Sequence, residues 1–170
     1  MHRGEDERLI RRAIELGRMA ALDLCTGSPF VCVIAKDGEI IAEGYNRVVA
    51  ENDPTWYGEM EAIRQAAKQL QIFDLSGCVL YTSAEPCPMC AAACWWARLD
   101  RIVYASRVED ALKYGGFDDR EIYLDLQKPI QERKIPHQEL LRDVRSKSGN
   151  FIRQNLSGSR IERLSLSVKF

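Results

Sequence analysis

The sequence predicts a three-layer α/β fold with a mixed sheet and helices on both faces. Three observations carry this. Apolar residues switch between a helical spacing and short continuous runs, in the order helix–strand–strand–helix–strand–helix–strand–helix. The first two runs are separated only by a turn signal, so the sheet opens as a hairpin, whereas later runs are joined by helical crossovers. The length of 170 residues, 46% of them apolar, fits one domain with a sizeable core.

Each element has its own warrant. Leu9, Ile10, Ala13, Ile14, Leu16, Met19, Ala20 and Leu22 approximate one helix face over 7–24, which Gly27, Ser28 and Pro29 then break. The runs at 30–35 (FVCVIA) and 39–44 (EIIAEG) flank Lys36-Asp37-Gly38 and read as paired strands. A polar loop over 46–56 leads to a helix from about Tyr57 to Leu70. Residues 78–82 form a strand, 83–88 a loop, and 89–97 an Ala-rich helix with Trp95 and Trp96 as large packing groups. A strand at 102–105 and a helix at 108–114 follow, closed by Gly115-Gly116. The run Ile122–Leu124 reads as either a short helix or a strand. Cys32 and Cys78 lie in apolar runs and read as small core residues.

Charge sorts the remaining function classes. The chain holds 24 basic and 25 acidic side chains, net −1, which argues against wholesale coating of nucleic acid. Residues 1–141 carry −6 and residues 142–170 carry +5. We therefore expect a main domain over 1–144 and a basic tail over 145–170. That tail reads as a solvated extension or as a contact with an anionic ligand or partner subunit. No apolar run approaches a membrane span, and the charged start MHRGEDERL lacks a signal-peptide core. A cytoplasmic protein with six reduced cysteines is the expectation.

The strongest chemical signal is Pro86-Cys87-Pro88-Met89-Cys90. Two thiols three positions apart at a helix opening can face one metal ion, and the helix N-terminus favours thiolate. A redox pair and accidental spacing are the rival readings. Glu59, in the first turn of the helix before it, is by itself only dipole compensation.

Together, DPTWYGEMEAIRQA and LYTSAEPCPMC resemble the zinc-dependent cytidine, nucleobase and tRNA-adenosine deaminase superfamily. Trp96-Ala97-Arg98, Gly116-Phe117-Asp118-Asp119 and Glu132–Pro136 are similar to the bacterial guanine deaminase branch. The resemblance spans roughly 9–141 and implies a cytidine-deaminase-like fold with a five-stranded sheet. It implies zinc on Cys87 and Cys90, Glu59 as proton shuttle, Asn46 on a ring carbonyl and Asp118 on a purine amino group. Phe30 and Trp96 would supply flat pocket walls. A free nucleobase or related amino-heterocycle, guanine favoured, is the implied substrate, and a homodimer the implied assembly. tRNA adenosine deamination is a lesser alternative: the DPT and PCPMC segments are shared with that branch, while Phe117-Asp118-Asp119 favours the free base.

Two departures stand out. The resemblance implies a histidine as first zinc ligand, and this chain has Tyr57 there, flanked by Trp56 and Gly58. Three outcomes are open. Tyr57 supplies a phenolate ligand; or Cys87 and Cys90 hold zinc with water or another group, His137 and Cys25 being conceivable and His2 a frayed terminus; or no metal binds and the protein is a heterocycle binder. The second departure is the tail, where an aromatic-rich closing segment is implied but Phe151 and Phe170 are the only aromatics over 145–170.

Overall fold

The computed structural model describes residues 3–24 and 28–155. His2, Cys25 and the tail beyond residue 155 lie outside the described residues. The chain divides into two compact units, Met1–Leu124 and Asp125–Phe170.

The first unit is built on a four-stranded mixed sheet of order β2-β1-β3-β4. Helix α1 (Arg3–Met19) continues as a π-helical turn over Ala20–Leu24. Strands β1 (Val31–Lys36) and β2 (Glu39–Tyr45) pair antiparallel, as the turn signal predicts. Asp37 and Gly38 both have positive φ, 50° and 81°, which a tight two-residue hairpin turn requires. A short helix α2 (Val48–Glu51) precedes α3 (Gly58–Leu70). Strand β3 (Cys78–Ala84) then pairs antiparallel with β1, and α4 (Pro88–Ala97) carries the chain to β4 (Arg101–Ser106), parallel to β3. Helices α5 (Val108–Gly115) and α6 (Arg120–Gln127) follow.

The sheet buries both faces, which is why β1 reads as an unbroken apolar run rather than an alternating one. Val31, Val33, Ala35 and Tyr81 meet Leu9, Ala13 and Leu16 of α1. On the opposite face Cys32, Ile34, Cys78 and Leu80 meet Ala62 and Ala66 of α3 and Cys94 and Ala97 of α4. Cys32 and Cys78 are fully buried core residues, as expected.

The expected five-stranded sheet is corrected to four. The candidate fifth run, Ile122–Leu124, lies on α6. Asp118 and Asp119 nucleate that helix. The Arg120 N–H donates to the Asp118 carboxylate at 3.1 Å, and the Ile122 N–H donates to the Asp119 carbonyl at 3.1 Å. Strand β4 is left as an edge with no fully buried residue.

The second unit holds a 3₁₀ turn at Ile130–Glu132 and α7 (Arg142–Asn155). Asp125 ties its start, accepting from the Lys128 ammonium and the Lys134 N–H, both at 3.0 Å. The expected boundary at 144 falls within α7. No helix among the described residues is long and apolar enough to cross a membrane.

Candidate active site

The site is built at two helix starts. Asp53 holds the loop before α3: its carboxylate accepts the Thr55 N–H at 2.8 Å and the Thr55 hydroxyl at 2.7 Å. This delivers Tyr57 as the N-cap of α3, with an extended backbone and no side-chain capping bond. Gly58 and Glu59 are the first two helical residues. Glu59 and Glu61, both in this first turn, are buried. Glu61 is structural, accepting the Tyr45 N–H at 2.8 Å.

The first turn of α3 is sunk into the sheet by two glycines. A Cβ on Gly44 would lie 2.0 Å from the Gly58 carbonyl oxygen and 2.6 Å from the Ala62 nitrogen. A Cβ on Gly58 would meet the Gly44 and Phe30 carbonyl oxygens, each at 3.0 Å. Helix and sheet backbones therefore touch where no side chain intervenes.

The second helix start is that of α4. Cys87 is its N-cap, and Pro88 fills the first helical position, where a missing N–H costs nothing. Cys90, one turn in, is fully buried. Its sulfur lies 3.4 Å from Glu59 Oε2, while the Thr82 hydroxyl donates to Glu59 Oε1 at 3.1 Å. Glu59 thus touches Cys90, and Cys90 in turn is hydrogen-bonded to Cys87.

Electrostatics follow from this geometry. Burial pushes the Glu59 carboxyl above its usual range, against the hydrogen bonds from Cys90 and Thr82. A hydrogen bond from Cys90 holds the Cys87 thiol below its ordinary value, assisted by the Cys90 and Met89 amides of the helix start. The proton-sharing partner Cys90 is driven up by Cys87, by burial and by Glu59. Burial raises the Tyr57 phenol, and so do Cys87, Asp119, Cys90 and Glu59.

Tyr57, Glu59, Cys87 and Asp119 line a cavity of about 320 Å³, near the low end of small-molecule sites (roughly 300–1,000 Å³), with Cys90 and Thr82 buried and outside its lining. Phe30 lines one side of it, with Phe117 packed edge-on at 5.2 Å between ring centroids. Asn46 is buried in the lining, its carbonyl oxygen accepting the Val48 N–H at 3.2 Å. The remaining acidic lining groups are Glu85 and Asp119.

Two expected pocket residues lie elsewhere. Trp96 is 64% exposed and Trp95 77% exposed, so neither is the packing group predicted, and Trp96 does not line the cavity. The reason is helical phase: α4 buries Cys90, Cys94 and Ala97 at i, i+4 and i+7, which turns the two tryptophans outward. Asp118 is exposed and forked onto Arg120, with both bonds at 2.7 Å, which lowers its carboxyl to about 2. Its neighbour Asp119 lines the cavity instead. His137, in the second unit, has its Nδ1 2.8 Å from the Ile135 carbonyl oxygen. Sequence reasoning missed Thr82, Phe117 and Asp119. The last two sit in a motif already singled out, but a pair of adjacent aspartates does not announce which one faces inward.

The donor set suits a thiophilic divalent cation. Two sulfurs, a carboxyl and a phenol gather at two helix N-termini, with no basic side chain lining the cavity. Among the described residues no group of three or more His, Cys, Asp and Glu side chains is arranged to hold a metal ion.

Comparison with known proteins agrees with this arrangement. A family model described as the cytidine and deoxycytidylate deaminase zinc-binding region matches residues 3–106. Guanine deaminase of Bacillus subtilis is 48% identical over 130 residues, covering 76% of this chain and 82% of that protein. The X-ray structure of a guanine deaminase from Bacillus subtilis superposes with a TM-score of 0.79 at 44% identity, covering 85% of this chain and 92% of that one. A tRNA-specific adenosine deaminase of Haemophilus influenzae is 30% identical, covering 93% of this chain and 89% of its own length.

Proposed function

This chain belongs to the cytidine and deoxycytidylate deaminase family, and we propose that it is a guanine-deaminase-like aminohydrolase acting on a free amino-heterocycle. The observation that carries the reading is the buried Glu59 carboxyl 3.4 Å from the Cys90 sulfur, in one cavity with Asn46 and two aromatic walls.

Cys87 and Cys90 would hold zinc, which supplies a water acidified from about 15.7 toward ~7 and a polarising positive charge. The rest falls to the chain. Glu59 takes a proton from the attacking water and delivers it to the ring nitrogen, then to the departing amine. Its raised proton affinity suits both halves of that transfer. The Thr82 hydroxyl fixes one carboxylate oxygen at 3.1 Å and leaves the other to carry the proton. Asn46 offers its amide N–H groups to a ring carbonyl, and Asp119 accepts from ring and amino N–H groups. Phe30 and Phe117, packed edge to face on each other, give the flat ring an apolar wall. Water adds to the amino-bearing carbon, the C–N bond breaks, and ammonia leaves.

The test is ammonia release from guanine by the purified chain, and its loss in Glu59→Gln by about 10²–10⁴-fold. No release from guanine or a panel of amino-purines and pyrimidines would overturn the reading. It would favour the binder alternative, which Tyr57 supports by standing where the family pattern places a histidine. A tRNA reading draws on the Haemophilus influenzae relative, but a cavity without a lining base favours a free base. The assembly we infer is a homodimer with the basic tail against the partner subunit, which light scattering of the full chain and of a chain ending at 144 would test.

A further inference from the structure

We infer that the hydroxyl of Ser28 is a substrate-binding group, donating a hydrogen bond to a ring nitrogen of the bound heterocycle. The inference rests on the aminohydrolase reading above and deepens it, by naming a feature of the substrate that the pocket reads away from the reacting carbon.

The unmet hydrogen bond comes first. Ser28 lines the same cavity as Glu59, Asn46 and Phe30. Its hydroxyl oxygen is buried and, among the described residues, has no hydrogen-bond partner. Buried hydroxyls in folded proteins are nearly always paired, so an unpaired one in a cavity wall is a group whose partner arrives with the ligand. Neighbouring serines show the ordinary case. The Ser83 hydroxyl donates to the Pro29 carbonyl at 3.4 Å, and the Ser106 hydroxyl donates to the Ser83 carbonyl at 3.0 Å. Two other buried polar atoms lack a partner among the described residues, Arg47 Nε and Trp56 Nε1. Those residues stack on each other at 5.8 Å and do not line the cavity, so Ser28 is the one that points to a ligand.

Placement comes second. Ser28 precedes Pro29, which restricts its backbone to an extended conformation. Ser28 and Phe30 line the cavity, while Pro29 between them is exposed. The Pro29 carbonyl is held from two sides. It accepts from Ser83, and Gly17 lets α1 close on it, since a Cβ on Gly17 would lie 2.6 Å from that oxygen. The Val31 N–H donates to the Ser83 hydroxyl at 3.2 Å. The Ser28 hydroxyl thus stands on a backbone fixed before any ligand enters, which spares binding the entropy of ordering it.

Chemistry comes third. Glu85 and Asp119 offer carboxylate acceptors to substrate N–H groups. Asn46 has its carbonyl engaged by Val48 and keeps its amide N–H groups for a ring carbonyl. A purine-like ring also carries nitrogen lone pairs besides the one Glu59 protonates, and these call for a small donor that can rotate, which a serine hydroxyl is. Tyr57, the other lining hydroxyl, belongs to the α3 start beside Glu59.

The test compares wild type with Ser28→Ala, both as the full chain, on guanine and on 3-deaza-, 7-deaza- and 9-deazaguanine, each with one ring nitrogen replaced by carbon. On guanine, Ser28→Ala should raise KM about 3–10-fold and keep kcat within about twofold, because the contact is already made in the bound substrate. On one deaza analogue the wild type should lose a similar factor and Ser28→Ala nothing further. An unchanged KM on guanine, or an equal effect of Ser28→Ala on every ring, would overturn the proposal. Equilibrium dialysis of guanine against Glu59→Gln, with and without Ser28→Ala, reads the same contact without turnover. Ammonia release by the wild type with equal affinities in the dialysis sinks the Ser28 assignment and leaves the hydrolase reading. The expected affinity loss with no ammonia release by the wild type does the reverse, and no guanine binding in either background overturns the assignment.

Discussion

Glu59 is a carboxyl kept from water beside a thiol, and that placement sets both its chemistry and its cost. Its proton is held more tightly in the folded chain than in the unfolded one. The group therefore favours the fold below the ordinary carboxylate pKa, and this contribution is lost as pH rises through the raised folded value. Glu59→Gln removes a buried charge while keeping the shape. At neutral pH it should be more stable than wild type by about 0.5–2 kcal/mol, the gap closing toward acid pH. Denaturant melts at several pH values check this, and a less stable variant at neutral pH would contradict it. The adjacent aspartates give a second contrast. Asp119→Asn should lower kcat/KM for guanine by about 10–100-fold through loss of a charged hydrogen bond, whereas Asp118→Asn, on the exposed Arg120 fork, should change it little. Cys87 and Cys90 are legible in the sequence because their spacing is itself chemical, and Glu59 because it stands where the deaminase resemblance places an acid. Asp119 and Thr82 were not, because which residue faces inward depends on how α6 starts and on the phase of β3.

At the scale of elements, the helix starts matter more than the helices. Gly44→Ala puts a methyl carbon 2.0 Å from the Gly58 carbonyl oxygen. It should cost about 1–3 kcal/mol of stability by forced displacement of α3, and lower turnover at the same time. Chemical denaturation together with an ammonia assay measures both. The clamp between α1 and the sheet is independent of the site. Asp6 accepts from Tyr81 at 2.8 Å and from both arms of Arg101 at 2.8 and 2.7 Å, and the shared carboxylate and burial raise the Tyr81 phenol to about 12. Tyr81→Phe should cost about 1 kcal/mol with turnover intact. The hairpin and α3 could be read from Lys36-Asp37-Gly38 and the helical period. The fate of Ile122–Leu124 could not: three apolar residues satisfy either period, and the two aspartates before them decided for helix. Trp96 misled for a related reason, since a large aromatic in an apolar stretch looks buried until the phase of its helix is known.

For the whole molecule, the two-faced core is readable because β1 is apolar from Val31 to Ala35, which only a sheet covered on both sides explains. The reach of the tail was not, because net charge names a preference for anions without naming which anion. The cavity wall has a larger consequence. Its titratable lining residues, Tyr57, Glu59, Glu85, Cys87 and Asp119, are all acids. A phosphate entering there would meet the carboxyl groups of Glu85 and Asp119. Guanine nucleotides should therefore neither be turned over nor inhibit at concentrations where the bare base saturates, and inhibition by guanosine monophosphate as strong as by guanine would refute this. The substrate must then arrive as a bare ring, so cleavage of a glycosidic bond has to come before this reaction.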